Sequence, residues 1–225
     1  ISTTIFARFP IIKTSLDIIS DFEIIIWTTT PWTMPGNRAV AYGKDIDYSL
    51  IEVTNVGENS LAKIGDKIII AKELVEDVMK EISVLSFNSY NTFKGSDFAG
   101  TILAHPLNNN GYEHEVLLLE ADFVTTDQGT GFVHIAPGHG ADDFELGRQN
   151  NLPIPETVSD NGILNSDLPL LGGLRVLKDN EIIADIMSEH DALIGRGKLN
   201  HSYPHSWRSK APLVFRTTPQ WFISM

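Results

Sequence analysis

Short segments rich in β-branched and aromatic residues recur along the chain, and this recurrence is the strongest constraint on its fold. Clusters of Gly, Pro, Asn and Asp separate many of them, which is typical of strands joined by turns and loops. The sequence therefore predicts a core that is mainly sheet. The predicted strands are residues 4–9, 23–28, 38–42, 48–53, 67–71, 115–120 and 131–135.

Two further segments, residues 72–82 and 179–193, have the apolar spacing of an amphipathic helix. Their apolar stripes are expected in the core: Leu74, Val75, Val78 and Met79, then Ile182, Ile183, Ile186 and Met187. Residues 144–149 predict a short helix capped by Asp142. Residues 108–111 predict a turn. Residues 151–173, with three prolines and three glycines, predict a long irregular connection.

Two stretches about a hundred residues apart combine a predicted strand with bending Gly and Pro and with polar side chains. They read WTTTPWTMPGN at residues 27–37 and GTGFVHIAPGHGADDF at residues 129–144. This composition is typical of sites built on rigid elements. We therefore predict that the two stretches share one pocket.

The chain has no cysteine, which excludes disulfides, thiolate zinc sites and cysteine nucleophiles. We expect a cytoplasmic protein, because nothing points to an oxidising compartment. The longest apolar runs are far shorter than the roughly 20 residues that cross a bilayer, so no membrane span is predicted. The opening residues, ISTTI, lack an initiator methionine and a signal-peptide pattern, and we expect an excised fragment.

A formal charge of −12 opposes non-specific binding to a polyanion. The charge is unevenly spread, because no acidic residue follows Asp191 while five basic ones do: Arg196, Lys198, Arg208, Lys210 and Arg216. This basic segment either meets a nucleic-acid backbone locally or is ordinary solvated surface. Composition leaves both interpretations open.

The side chains of the two stretches favour some chemistries and exclude others. Three consecutive threonines present hydroxyls that orient a water or an adenosine, although Thr is also simply a good strand residue. His134, His139 and Asp143 carry metal-ligand groups, which leaves a metal-dependent hydrolase open, but their spacing matches no zinc motif. The sequence has no P-loop, GxGxxG or GxSxG motif to support a nucleotide site or a serine hydrolase.

Taken together, the WTTTPWT run with Pro35 and Asn37, and the second stretch, resemble the two signatures of the editing domain inserted in isoleucyl-tRNA synthetase. Related insertions in valyl- and leucyl-tRNA synthetases typically have an Arg-Pro element where this chain has Pro31 and Trp32, which favours the isoleucyl branch. The resemblance covers essentially the whole chain. It implies a mainly β fold with helices, of α+β character, around a closed β-barrel.

The resemblance also implies post-transfer editing, the hydrolysis of the aminoacyl ester of mischarged valyl-tRNA(Ile). No cofactor or metal is expected, and ATP belongs only to the synthetic domain, whose HIGH and KMSKS signatures are not found here. The implied partners are the tRNA(Ile) 3′ end carrying valine and the remainder of the synthetase chain, with the fragment itself monomeric. Another hypothesis is a module that binds the tRNA end without turnover when isolated.

Residue roles follow from the same resemblance. Asp143 holds the substrate α-ammonium, and His134 borders the side-chain pocket and excludes isoleucine. Thr28, Thr29 and Thr30 bind the adenosine end and position the attacking water, so that Thr29, Thr30 and Asp143 form the catalytic set. The remaining predicted substrate-binding residues are Trp32, Asn37, Gly138, His139 and Asp142.

The resemblance divides the chain into an editing domain, residues 1–200, and a return connector toward the synthetic domain, residues 201–225. Within the connector, Tyr203-Pro204-His205, Trp207-Arg208 and Gln220-Trp221-Phe222 resemble the return strand of the family. We expect Trp207, Trp221 and Phe222 to be exposed. Many relatives have cysteines where this chain has Ser206 and Ser209, so no thiolate metal knuckle is expected there.

Overall fold

The fold is a single mixed β-sheet with helices packed at its margins. The computed structural model describes residues 2–200, 204–208, 210, 212–218, 220, 221 and 223. In chain order its main elements are β1 (Ser2–Lys13), β2 (Glu23–Thr28), β3 (Ala39–Tyr42), β4 (Asp47–Val56), β5 (Lys67–Ala71), α1 (Val75–Glu81), β6 (Val84–Lys94), β7 (Ile102–Ala104), β8 (Glu115–Glu120), β9 (Phe132–Ile135), α2 (Ala141–Gln149), α3 (Asn180–Glu189) and β10 (Leu193–Leu199).

Strand β1 organises the sheet, because its 12 residues pair with three other strands. Its first half lies between β10 and β2, and its last residues pair with β7. The full order is β6-β4-β5-β2-β1-β7-β8-β3-β9, with β10 on β1. The pairs β2–β5 and β3–β8 are parallel, and the other pairs are antiparallel.

The sheet path stays open, which departs from the closed barrel expected by resemblance. Among the described strands, the two ends of the path, β6 and β9, are not paired with each other. The prediction of barrel closure is therefore not supported, whereas the mainly β character with a few helices is confirmed. The end of β2 nevertheless lies close to β9, and this approach creates the site described below.

Three of the seven predicted strands, β2, β5 and β8, have the predicted bounds, and the other four differ by a few residues at their ends. Strand β2 is easily recognised, because Ile24, Ile25 and Ile26 are all fully buried between neighbouring strands. Strands β6, β7 and β10 were not predicted. Strand β6 is a largely exposed polar edge strand, β7 has three residues, and β10 contains Gly195 and Gly197.

Both amphipathic helices are present, but each is shorter than predicted. A 3₁₀ turn, Lys72–Leu74, precedes α1, and the predicted stripe on these two elements is buried. Helix α3 ends at Glu189 because Asp191 adopts a left-handed conformation with φ of 57°, after which the chain enters β10. The placement of Ile182 in the core was wrong, since its side chain is 48% exposed on the outer face of α3.

The predicted turn and irregular connection are both observed. Asn109 and Gly111 have positive φ angles in the turn at residues 108–111. The connection at residues 151–173 contains only isolated bridges such as Val158 with Leu164. None of the described helices is long and apolar enough to cross a membrane.

Candidate active site

The two sequence stretches meet at one hollow of about 230 Å³. The first stretch leaves β2 at Thr28 and turns into a 3₁₀ helix, Pro31–Gly36, while the second runs from β9 through a loop into α2. The hollow is lined by Trp27, Thr28, Thr30, Thr33, Val133, His134, Ala136, His139 and Asp143. Residues a hundred positions apart thus line the same cavity.

The threonine strip is bent at the end of β2 by its own hydrogen bonds. The Thr28 hydroxyl accepts the Thr30 backbone N–H and lies 3.1 Å from the Thr30 hydroxyl. Pro31, whose ring fixes φ, then starts the 3₁₀ helix. As a result Thr28 and Thr30 both face the hollow, whereas the half-buried Thr29 does not line it.

His134 is held from both sides by side chains of the first stretch. The Asn37 side-chain amide lies 2.8 Å from its Nδ1 and also donates to the Ala39 carbonyl. On the other side, Nε2 lies 3.0 Å from the Thr33 hydroxyl, which itself donates to the Thr30 carbonyl at 2.8 Å. Nδ1 therefore accepts and Nε2–H donates, which fixes both the tautomer and the ring orientation.

The His134 imidazole is a neutral wall of the cavity. Burial lowers its pKa to about 3, and the nearby His139 adds to the effect. Thr33, which fixes this ring, had no predicted role, although it lies in the quoted motif three residues after Thr30. The 3₁₀ turn brings the Thr33 hydroxyl back to the Thr30 carbonyl, and only this geometry reveals its part.

Asp143 enters the hollow from the first turn of α2. Its Oδ2 accepts the Ala136 backbone N–H at 2.8 Å, which ties the helix to the end of β9. Burial raises the pKa of this carboxyl to about 6, against the lowering effect of the backbone N–H groups. In the described part of the chain no basic side chain forms a salt bridge with Asp143, so its charge is only weakly compensated.

Asp142 points away from this site. The predicted helix cap is wrong, because α2 begins at Ala141 with Gly140 at the N-cap position, and Asp142 lies inside the first turn. Its exposed side chain borders a separate hollow of about 310 Å³ that also contains Glu120, Asp122 and Glu145. The two adjacent aspartates therefore have different surroundings.

His139 connects the second stretch to residues that are distant in sequence. Its Nδ1 lies 3.0 Å from the Phe215 carbonyl and its Nε2 lies 2.7 Å from the Thr157 hydroxyl. The ring meets Trp32 edge-on at a centroid distance of 5.1 Å. Thr157 was not predicted, and no motif marks it within the irregular connection.

The other predicted substrate-binding residues lie behind the lining of the hollow. Trp32 and Asn37 are buried, with the Trp32 Nε1 and Asn37 Oδ1 atoms among the described buried polar atoms that lack a hydrogen-bond partner. The Gly138 carbonyl accepts the Thr217 backbone N–H at 3.0 Å. These residues support the walls of the cavity in this structure, and a direct contact with substrate stays a prediction for each.

The geometry does not favour the metal-dependent alternative. Within the described ranges, no group of three or more His, Asp or Glu side chains is arranged to hold a metal ion. Both ring nitrogens of His134 and of His139 are engaged by protein partners. Neither imidazole therefore has a free lone pair directed toward Asp143.

The basic segment after Asp191 is largely compensated by acidic neighbours. Arg196 and Lys198 form ion pairs with carboxylates of α3, and Arg216 forms one with Asp160. Trp207 and Trp221 are highly exposed, and the Arg208 guanidinium lies over the Trp207 ring. The predictions for Tyr203, Ser209 and Phe222 fall outside the described residues.

Sequence comparisons relate this chain to aminoacyl-tRNA synthetases. The family model for the editing domain of leucyl-tRNA synthetase matches residues 54–168. The isoleucine–tRNA ligase of Pelagibacter ubique is 46% identical over 224 residues, which are 100% of this chain and 24% of that protein. The isoleucine–tRNA ligase of Gluconobacter oxydans is 46% identical over 237 residues, 100% of this chain and 25% of that protein. The chain thus spans about a quarter of the length of these relatives.

Structural comparisons show the same fold at low sequence identity. The crystal structure of GlLeuRS-CP1 is 12% identical with a TM-score of 0.64, and the match covers 88% of this chain and 100% of that one. The P. falciparum cytosolic leucyl-tRNA synthetase editing domain is 10% identical with a TM-score of 0.51, covering 67% and 68%. The chain belongs to the family of aminoacyl-tRNA synthetase editing domains, and its curated relatives are isoleucine–tRNA ligases.

Proposed function

We propose that this chain hydrolyses the aminoacyl ester of mischarged valyl-tRNA(Ile) after transfer of the amino acid to tRNA. The observation that carries the proposal is the cavity that Asp143 lines together with threonine side chains and a neutral, fixed His134. The sequence relatives named as isoleucine–tRNA ligases support the choice of tRNA. We also assign the reaction to the cytoplasm, in keeping with the lack of cysteine.

Asp143 anchors the substrate through its α-ammonium group. A partly buried carboxylate without a cationic partner is unfavourable, as its raised pKa indicates. An aminoacyl ester brings a positive charge to this position, and a charge-assisted hydrogen bond then compensates the carboxylate. The contact fixes the ester carbonyl in one place, so the binding energy is used for orientation.

The threonine strip holds the adenosine end and positions the attacking water. The water oxygen bonds to the ester carbonyl carbon, the bond from that carbon to the ribose oxygen breaks, and the ribose oxygen takes up a proton. The products are free valine and tRNA with an intact 3′ end. The neighbouring ribose hydroxyl and ordered water carry the proton, and Thr28 and Thr30 orient the reacting groups through their hydroxyls.

His134 provides selection by size. In an apolar pocket, one methylene changes the binding free energy by about 1–3 kcal/mol, and isoleucyl-tRNA synthetase is the usual illustration of this limit. A single binding step therefore cannot separate isoleucine from valine well enough, and a second site has to remove the valine errors. A wall that cannot move rejects the larger isoleucine, since overpacking is costly. The hydrogen bonds from Asn37 and Thr33 keep the imidazole in place.

Deacylation measured on valyl-tRNA(Ile) and isoleucyl-tRNA(Ile) side by side tests this function. We expect the wild-type chain to release valine and spare isoleucine, Asp143→Ala to lose at least about 100-fold in rate, and His134→Ala to cleave both esters. Activity should persist with a chelator, which separates the proposal from a metal-dependent hydrolase. Full activity of Asp143→Ala would contradict the anchoring role.

A binding module without turnover is the second candidate. It is favoured by the share of the relatives that the chain spans, about a quarter. The ion pairs of Arg196, Lys198 and Arg216 leave few cations for the tRNA backbone, so this module would grip the aminoacylated end alone. Binding of a non-hydrolysable valyl-adenosine analogue together with undetectable deacylation would support this candidate. Measurable turnover by the chain alone would exclude it.

A further inference from the structure

Three other segments of the chain converge on the His139 imidazole. The 3₁₀ helix contributes Trp32, which the ring meets edge-on, and Gly36, where an added Cβ would lie 3.0 Å from the His139 Cδ2 atom. The irregular connection contributes Thr157, and the late segment at residues 212–218 contributes the Phe215 carbonyl. No other site residue described above joins so many remote parts of the chain.

The hydrogen bonds of His139 specify its proton position. A carbonyl oxygen only accepts, so the Nδ1 atom carries the proton donated to Phe215. Nε2 then accepts from the Thr157 hydroxyl, which is almost fully buried. Burial also lowers the pKa of His139, which favours the neutral ring that this arrangement requires. With both nitrogens engaged, the imidazole has no nitrogen left for a substrate.

The late segment is attached to the same loop at a second point and to the connection at a third. The Thr217 backbone N–H donates to the Gly138 carbonyl, next to His139 in sequence. The Arg216 guanidinium pairs with Asp160 and lies 3.4 Å from the Val158 carbonyl, close to Thr157 in the chain. Residues 215–217 thus follow the outer side of the loop that leads into Asp143.

We propose that His139 is a positioning residue whose imidazole ties the loop carrying Asp143 to Thr157 and to the backbone of residues 215–217. The late segment is then part of the framework of the site, and its position sets the distance between Asp143 and the threonine strip. This inference rests on the proposed function for its effect on catalysis. The proton position on the ring is independent of that function.

Thr157 offers the sharpest test, because it can be changed without touching the cavity lining. Thr157→Val removes the donor to Nε2 at nearly constant volume, and Thr157→Ser restores it. We expect Thr157→Val to lower kcat for valyl-tRNA(Ile) deacylation by about tenfold with KM nearly unchanged, and Thr157→Ser to recover most of the rate. The matched control is Thr101→Val. Thr101 is also a buried threonine with a hydrogen-bonded hydroxyl, donated to Thr14, but it lies outside the cavity lining, so this variant should leave kcat unchanged.

A second measurement uses ¹⁵N NMR of the histidine rings. In the wild type, we expect His139 to carry its proton on Nδ1 and to accept a hydrogen bond at Nε2. The Nε2 chemical shift should change to that of a nitrogen without a hydrogen bond in Thr157→Val, and it should stay unchanged in Thr157→Ser and Thr101→Val. A proton on Nε2, or a Thr157→Val kcat equal to that of Thr101→Val, would overturn the proposal. An inactive wild-type chain would count against the proposed function alone, and the ring resonances would then decide this inference.

Discussion

At the scale of single residues, the two histidines of the site are held by hydrogen bonds to threonines that are distant in sequence. Thr30, His134 and Asp143 line one cavity because their motifs meet, as predicted. Thr33 and Thr157 escaped prediction because their importance lies in hydrogen bonds to distant histidines. A threonine in an irregular connection has no periodicity or motif from which such a bond can be inferred.

The Asp143 carboxyl should make stability depend on pH. Its folded pKa of about 6 exceeds the ordinary value, so its contribution is fully favourable below about pH 4 and is lost as the pH rises through 6. Asp143→Asn removes this loss and still accepts the Ala136 N–H. We expect the variant to be about 1–2 kcal/mol more stable than the wild type at pH 7.5, and equal to it near pH 4.

Urea unfolding of both proteins at several pH values measures this effect. Buried His134 and His105, whose pKa values burial lowers to about 3, give the opposite slope in both proteins. The difference between variant and wild type therefore isolates Asp143. A difference that does not change between pH 4 and 7.5 would show that the carboxyl ionises normally in the folded chain.

At the scale of elements, the strands that could be predicted are those with a strong local pattern. Strand β2 is a continuous buried apolar run, and β5 resembles it. Strand β6 is stabilised by pairing with β4 along its length, with little burial of its own, and β10 by pairing with β1. Such strands depend on partners far away in sequence, so local propensity cannot reveal them.

Gly131 in the second motif shows why a glycine is needed where β5 and β9 meet. Its φ of +80° suits glycine, an added Cβ would overlap the Ala71 Cβ, and its carbonyl accepts the Tyr48 hydroxyl at 2.7 Å. We expect Gly131→Ala to lower the free energy of unfolding by about 2–4 kcal/mol, from backbone strain and overpacking together.

Gly65→Ala is the matched control for this prediction. Gly65 also has a positive φ, of +94°, but no atom lies within 4 Å of an added Cβ. Its substitution should cost only the strain, about 1 kcal/mol. Equal losses for the two variants in urea denaturation would show that the contact with Ala71 relaxes without cost.

At the scale of the whole molecule, the charge pattern limits how nucleic acid can be bound. The basic segment looked like a candidate contact for a phosphate backbone, yet ion pairs occupy Arg196, Lys198 and Arg216. Within the part of the chain that the structure describes, Arg208 and Lys210 have no carboxylate partner. These pairs join parts of the chain that are distant in sequence, so composition alone cannot show which basic residues are compensated.

The salt dependence of binding should reflect this compensation. Each phosphate neutralised in a single strand contributes roughly −0.7 to the slope of log K against log salt, so two free cations predict about −1.4 and five about −3.5. We expect a slope near −1.4, about 0.7 for each of the two cations, for a minihelix that ends in non-hydrolysable valyl-adenosine; fluorescence anisotropy measures the binding. The double variant Arg208→Ala, Lys210→Ala should reduce the magnitude of the slope by about 1.4. A wild-type slope near −3.5 would mean that the ion pairs open on binding.

The antiparallel pairing of β1 with β10 has a consequence for how such a domain is carried. Ser2 lies opposite Leu199, so nearly two hundred residues of chain depart and come back within one interstrand spacing, about 5 Å. A protein that carries such a unit as an insertion therefore needs only two attachment points about 5 Å apart, and its own backbone need not move apart to hold it.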